Sequence, residues 1–319
     1  MKRTRFLLAD VGGTNARFAV VGPGDRTFAV KNLRGDEYPS LFDAAEAFLG
    51  DLPACERPTA GAFAVASPVR GDKVAMTNRA WTFSISELQR RLGFERLHVV
   101  NDFVAAALSV PHLEPDDVVQ IGTTGPIPDP KVIGVLGPGT GLGVAGLIRV
   151  GGAWVPLATE GGHATMSPFD DRESEILAVL RREFGHVSAE RLLSGQGLSN
   201  IHSALGKLEG QASEPVEPEA ITAGALEGTD ARMVEAVEIF CLMLGTVASN
   251  VALTLGARGG IYIAGGIVPQ LGRMFETSGF RQRFEDKGRF RGYLAAIPTF
   301  VIIHDAAAFV GLRSLAEAS

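Results

Sequence analysis

Cysteine is nearly missing from this chain: Cys55 and Cys241 are the two in 319 residues. They stand far apart with no CxxC spacing, so a disulfide framework and a cysteine-based zinc or iron–sulfur site are both excluded, and a reducing cytoplasm is expected. A basic excess is also absent. The 30 lysines and arginines are outnumbered by 36 acids, for a net charge of −6, which gives no electrostatic case for a nucleic-acid partner. No GxxxxGK[ST] occurs, which removes the P-loop proteins. The opening MKRTRFLLAD is basic and then apolar, but Asp10 interrupts it too early for the core of a signal peptide. Long uncharged runs are rare. The one of near-membrane length, IFCLMLGTVASNVALTLGA at 239–257, carries Gly245, Thr246, Ser249, Asn250, Thr254 and Gly256 and continues the helical pattern of ARMVEAVEI. It reads as a buried helix, and no membrane is expected.

What is present describes a globular protein. Hydrophobic residues make up 46% and charged residues 21%. At this length two domains are the default. RFLLADV, ARFAVVG and TFAVKNL read as three strands, followed by a helix over about 40–49, a strand at TAGAFAVA, a helix at ISELQRRLG, a strand at LHVV and a helix from NDFVAAALSV. The pattern then restarts: KVIGVLG, GVAGLIRV and AWVPLA are three further strands, and the chain is mostly helical to residue 257. GGIYIAGG and TFVIIH are strands, and HDAAAFVGLRSLAEA is a closing helix. EGQASEPVEPEA reads as a polar surface loop. The class is α/β.

The restart has the look of a distant internal repeat. Gly13–Thr14 and Gly139–Thr140, 126 residues apart, lie in matching strand–glycine turn–strand segments, ADVGGTNARFAV and VLGPGTGLGVAG. A glycine turn can present successive N–H groups to an anion, although either turn alone is as consistent with an ordinary hairpin. Gly141, Gly143 and Gly146 satisfy GxGxxG, but the residues after them read as strand, whereas a dinucleotide fingerprint opens a helix.

DVGGTNARFAV, GPGTGLGVA and IYIAGGIV resemble the two phosphate motifs and the adenosine motif of the sugar kinase, actin and Hsp70 ATPase superfamily. AMTNRAWTFS, NDFVAAALS, EGGH, GHVSAERLLSG and FEDKGRF narrow the resemblance to bacterial-type glucokinases, over about residues 5–313. ROK kinases usually carry a cysteine-rich zinc motif after their EGGH-like segment. ATMSPFDDRE has no cysteine, which places the resemblance outside that branch.

The resemblance implies a two-domain actin-like ATPase fold, ribonuclease H-like, with a deep interdomain cleft that closes over the sugar. The expected domains are residues 1–110 joined by the helix 305–319, and residues 111–304. ATP and Mg²⁺ are the implied cofactors and glucose the implied partner, phosphorylated at its 6-hydroxyl, with a homodimer as the family default. An acid beside phosphates needs a cation between, so Asp10 is expected to hold Mg²⁺ through water. The implied nucleotide set is Ala9, Asp10, Val11, Gly12, Gly13, Thr14 and Asn15, with Gly139, Thr140 and Gly141, and with Gly265 and Gly266 at the adenosine end. Asn101 and Asp102 sit where a strand becomes a helix. On the residues alone they read as a helix cap; the resemblance makes Asp102 the general base and Asn101 a sugar ligand. Glu160 and His163 of TEGGHA, and Glu190 of HVSAERLL, are the other implied sugar ligands, with Ser188 a candidate helix cap before Glu190. Two alternatives stay open. One is a kinase for mannose, fructose or an amino sugar. The other is a non-catalytic sugar-sensing regulator, a class that usually carries a DNA-binding domain ahead of the phosphate turn.

Overall fold

The computed structural model describes residues 5–22, 27–122, 131–211 and 215–317. The chain divides into two compact units, residues 1–113 with 304–319, and residues 114–303.

In the first unit β1 (Phe6–Val11), β2 (Asn15–Val21) and β3 (Thr27–Arg34) form an antiparallel meander. Helix α1 (Leu41–Gly50) follows, opened by Ser40, whose side chain accepts from the Asp43 N–H. Strand β4 (Ala60–Val65) then pairs parallel to β1. A two-stranded ribbon of β5 (Lys73–Ala75) and β6 (Thr82–Ser84) precedes helix α2 (Ile85–Leu92), which Gly93 stops at φ 69°. Strand β7 (Arg96–Asn101) pairs parallel to β4 and runs into helix α3 (Asp102–Ser109). The sheet order is β3-β2-β1-β4-β7. Strand β1 reads as continuously apolar because both of its faces are covered. Leu7, Ala9 and Val11 pack with Phe18, Phe48 and Phe63 on one side, and Phe6 and Leu8 pack with Ala60, Ala62, Ala64 and Ala105 on the other.

In the second unit β8 (Val118–Ile121) precedes β9 (Val132–Pro138), β10 (Leu142–Val150) and β11 (Ala153–Ala158), the last three again an antiparallel meander. Four helices follow: α4 (Asp171–Phe184), α5 (Gly195–Leu208), α6 (Pro218–Glu227) and α7 (Ala231–Leu255). Strand β12 (Ile261–Ile263) pairs parallel to β9; α8 (Ile267–Leu271), α9 (Arg273–Glu276), α10 (Phe280–Glu285) and α11 (Arg291–Ala295) lead to β13 (Thr299–Ile302). The order is β11-β10-β9-β12-β13-β8. With β8 set aside, it repeats the first unit: a meander, then two parallel strands on its first strand. The last helix, α12 (Ala307–Glu317), packs in the first unit, where Gly311 lies so close to the Ala105 carbonyl that a Cβ would meet it at 1.9 Å.

Helix α7 passes a membrane test by length and apolarity, yet 78% of its most apolar stretch is buried within the protein. It is the core helix of its unit, opened by Asp230, which caps the Arg232 and Met233 N–H groups, and ended by Gly256 at φ 65°. Against this core lies a buried ion pair. Arg283 is bonded to Glu173, and the two are 6% and 2% exposed.

Three local expectations are corrected. The short strands β5, β6 and β8 add to the expected set; with three or four residues each, they carry too little alternation to register in the sequence. The expected polar loop at 209–220 is helical from Pro218, because proline suits a first helical position; its residues 212–214 lie outside the described residues. Ser188 precedes only a single 3₁₀ turn, Ala189–Arg191, and its side chain makes no capping hydrogen bond.

Candidate active site

Register decides what gathers in the first unit. Val11, Val65 and Asn101 are aligned across β1, β4 and β7, so the turn after β1 and the start of α3 emerge at the same carboxyl edge of the sheet. That edge is where open α/β sheets bind ligands. Asp10, the penultimate residue of β1, is half-buried, whereas Ala9 and Val11 on either side of it are fully buried with side chains in the core, so only their backbone could serve a nucleotide. Thr14 and Asn15 are exposed, and Gly12 donates to the Asn15 carbonyl at 2.9 Å to close the turn.

Asn101 is the cap of α3, its Oδ1 accepting from the Phe103 N–H at 2.9 Å, and its Nδ2 reaches the Ser67 carbonyl at 3.4 Å. Asp102 is half-buried and accepts from the same Phe103 N–H at 3.0 Å. Burial pushes its carboxyl up to about 6, and the nearby charge of Asp10 adds to the rise. Asp10 is raised as well, by burial, against the lowering effect of Arg17, its partner in the β1–β2 ladder. Two carboxylates that burial holds above the usual range, with the charge of Asp10 adding to the rise at Asp102, form an environment that accepts a cation and keeps a base near neutrality. Among the described residues no cluster of three or more His, Cys, Asp or Glu side chains could cage a metal. A single carboxylate fits Mg²⁺ all the same, since that ion keeps several waters and takes the rest of its ligands from phosphates.

The second unit assembles its own set. Glu160 and His163 flank a 3₁₀ turn, Gly161–His163, and both side chains are exposed. The turn lies hard against β10: a Cβ on Gly162 would stand 1.9 Å from the Leu142 carbonyl, so only glycine fits. A Thr165–Ser188 bridge and an Ala189 N–H to Ala164 carbonyl bond of 2.9 Å stitch this segment to the turn carrying Glu190. Glu190 Oε1 comes within 3.8 Å of His163 Nδ1, and its Oε2 accepts from the Leu142 N–H at 2.9 Å. Gly139 and Gly141 form the turn between β9 and β10, and the space of a Gly141 side chain is taken by Glu190 Oε2, 2.5 Å from where a Cβ would be. Gly265, at φ +85°, is pressed on the Pro138 carbonyl, which a Cβ at that position would meet at 2.4 Å, and Gly266 is open. The two glycine turns therefore adjoin. In this way Gly139, Thr140, Gly141, Glu190 and His163 form one neighbourhood, with Gly265 and Gly266 beside it.

Sequence reasoning missed one contributor. Arg79, within AMTNRAWTFS, donates to the Gly13 carbonyl from Nε at 3.1 Å and from Nη2 at 2.9 Å. A separation of 66 residues hides that contact; the glycine at position 35, which makes room for the guanidinium, was the available signal.

Two units that share one strand order once β8 is set aside, each with a glycine–threonine hairpin between the first two strands of its meander, define the actin-like ATPase class to which many sugar kinases belong. A family model described as Glucokinase matches residues 7–319. The glucokinase of Paramagnetospirillum magneticum is 50% identical over 311 residues, covering 97% of this chain and 96% of that protein. That of Nitrobacter hamburgensis is 49% identical over 314 residues, with the same coverage of 97% and 96%. Among solved structures, a glucokinase from an Antarctic psychrotroph superposes with a TM-score of 0.88 at 32% identity, covering 99% of both chains. One from Balamuthia mandrillaris, solved in complex with glucose, shares the fold at a TM-score of 0.80 and 20% identity, covering 99% of this chain and 94% of that one. The chain belongs to the glucokinase family.

Proposed function

We propose that this chain transfers the γ-phosphoryl group of ATP to the 6-hydroxyl of glucose, with Asp102 as general base. The observation that carries the reading is Asp102 itself: a half-buried carboxyl at the carboxyl ends of the parallel strands β1, β4 and β7, with its pKa raised to about 6. A base so tuned is mostly ionised at neutral pH yet basic enough to take a proton in the transition state, an effect worth roughly 10²–10⁴-fold. As Asp102 accepts the hydroxyl proton, the sugar oxygen bonds to the γ-phosphorus, the bond from that phosphorus to the bridging oxygen breaks, and ADP leaves with the electron pair.

Asn101, Glu160, His163 and Glu190 supply hydrogen bonds to the remaining sugar hydroxyls. Acid and imidazole groups suit this work because each hydroxyl both donates and accepts. The Gly12–Asn15 and Gly139–Gly141 turns contact the phosphates, and Gly265 and Gly266 let the adenosine lie against backbone. Asp10 would hold Mg²⁺, which when bound neutralises charge on the β- and γ-phosphates. A homodimer and a cytoplasmic location, consistent with Cys55 and Cys241 both being free thiols, complete the reading. A coupled assay with Mg-ATP and a panel of hexoses tests it: glucose-dependent ADP release is expected, and a preference for mannose, fructose or an amino sugar would replace glucose as the substrate.

A further inference from the structure

Three carbonyls of the turn after β1 are each held by a donor. Asn15 O accepts from the Gly12 N–H at 2.9 Å, Thr14 O from the Gly35 N–H at 3.0 Å, and Gly13 O from two nitrogens of Arg79 at 2.9 and 3.1 Å. The N–H groups of Gly13 and Thr14, by contrast, meet no acceptor among the described residues. A peptide group is planar, with its C=O and N–H pointing in opposite directions. Whatever grips the Gly13 carbonyl therefore also sets the direction of the Thr14 N–H.

Arg79 is built to grip. Its guanidinium lies over the Trp81 ring at 4.1 Å, and Trp81 is in turn fixed by its indole N–H to the Tyr38 carbonyl at 3.1 Å. On the other side is Gly35, where a Cβ would fall 1.7 Å from Arg79 Nη1. Only a glycine leaves the slot open. The planar fork donates twice to one oxygen while stacking on an indole, which a lysine cannot do.

We propose that Arg79 is a positioning residue for the donor nucleotide: it fixes and polarises the Gly13–Thr14 peptide so that the Thr14 N–H binds a terminal phosphate oxygen of ATP. The guanidinium is always charged, and hydrogen bonds in series polarise one another, so its charge is relayed to the phosphate through the peptide without contact. This inference rests on the reading of Gly12–Asn15 as a phosphate cradle.

The test uses the full-length protein and three variants, Arg79→Lys, Arg79→Ala and Gly35→Ala, the last of which evicts the guanidinium while leaving Arg79 in the sequence. Calorimetry with AMPPNP and Mg²⁺ gives nucleotide affinity, steady-state kinetics give KM for ATP and for glucose, and hydrogen exchange follows the peptide spanning residues 12–15. The expected result is a nucleotide Kd raised about tenfold in all three, the loss of one charge-assisted contact, with glucose KM within about twofold. Millimolar guanidinium should restore affinity in Arg79→Ala and not in Gly35→Ala, whose slot is filled. Unchanged nucleotide affinity in a folded Arg79→Lys or Arg79→Ala protein, with AMPPNP still protecting residues 12–15, overturns the role of Arg79 alone. Absence of that protection in the wild type overturns the cradle reading as well.

Discussion

The carboxylate of Glu190 takes the amide hydrogen of Leu142 at 2.9 Å, and it stands where a side chain on Gly141 would be. A residue proposed for the sugar is thereby tied to a turn proposed for the phosphates. Gly141→Ala places a methyl 2.5 Å from the original position of Oε2 and forces the carboxylate to swing away. Losing this charge-assisted bond should raise KM for glucose about tenfold, accompanied by a rise in KM for ATP. Steady-state kinetics with each substrate varied in turn check this, and a change in the ATP term alone would separate Glu190 from the sugar.

The acid limb of the pH profile of kcat/KM for glucose should have its midpoint near 6, the value to which burial and Asp10 bring Asp102. Removing the neighbouring charge with Asp10→Asn should lower that midpoint, because like-charge repulsion is part of what raises it. Carboxyl-carbon NMR of Asp102 reads the shift directly in both proteins, independent of the activity lost with the variant. A midpoint that stays in place in Asp10→Asn would show the two acids to be uncoupled.

The same raised pKa makes a stability claim. Between about pH 4 and 6 the folded state holds a proton on Asp102 that the unfolded state, near 3.8, has released, so this group's contribution falls as pH rises through that window. Asp102→Asn removes the cost of the buried charge. At pH 8 it should be more stable than the wild type by up to about 3 kcal/mol, with the gain vanishing toward pH 4. Urea unfolding at the two pH values measures it. A variant less stable than the wild type at pH 8 would contradict the burial argument.

Arg283 and Glu173 form the ion pair buried under the segment that leads from His163 into α4, where Glu173 Oε2 also accepts from the Phe169 N–H at 2.7 Å. Breaking one side leaves a buried charge without its partner. Arg283→Met should cost about 3–5 kcal/mol and lower the thermal midpoint by roughly 10 °C, whereas Arg283→Met with Glu173→Leu should recover much of the loss. Calorimetric melting of the single and double variants decides between these outcomes.

Much of the fold is legible in the sequence, and the reasons are local. An apolar run ending in Asp10 and two glycines is visible as a strand and turn, its echo at Gly139–Thr140 is visible as a repeat, and Asn101 at the border of β7 and α3 is visible as a cap, which it is. The parallel order of β1, β4 and β7, which brings Asp10 and Asp102 to one edge, is a long-range property that comes only through the family resemblance. Other contacts leave no local mark. Glu190 reaches Leu142 over 48 residues and Arg79 reaches Gly13 over 66, and nothing near either residue announces its partner. Ser188 shows the opposite error, where a residue type suited to capping has no helix to cap because only one 3₁₀ turn follows.

The most direct measurement compares the wild type with Asp102→Asn in two experiments on the same preparation: calorimetric binding of glucose, and formation of glucose 6-phosphate with saturating Mg-ATP. Glucose affinity within about threefold of the wild type, together with turnover reduced by roughly 10²–10⁴, is the expected result for a general base. Turnover within tenfold of the wild type would contradict the assignment of Asp102 as that base.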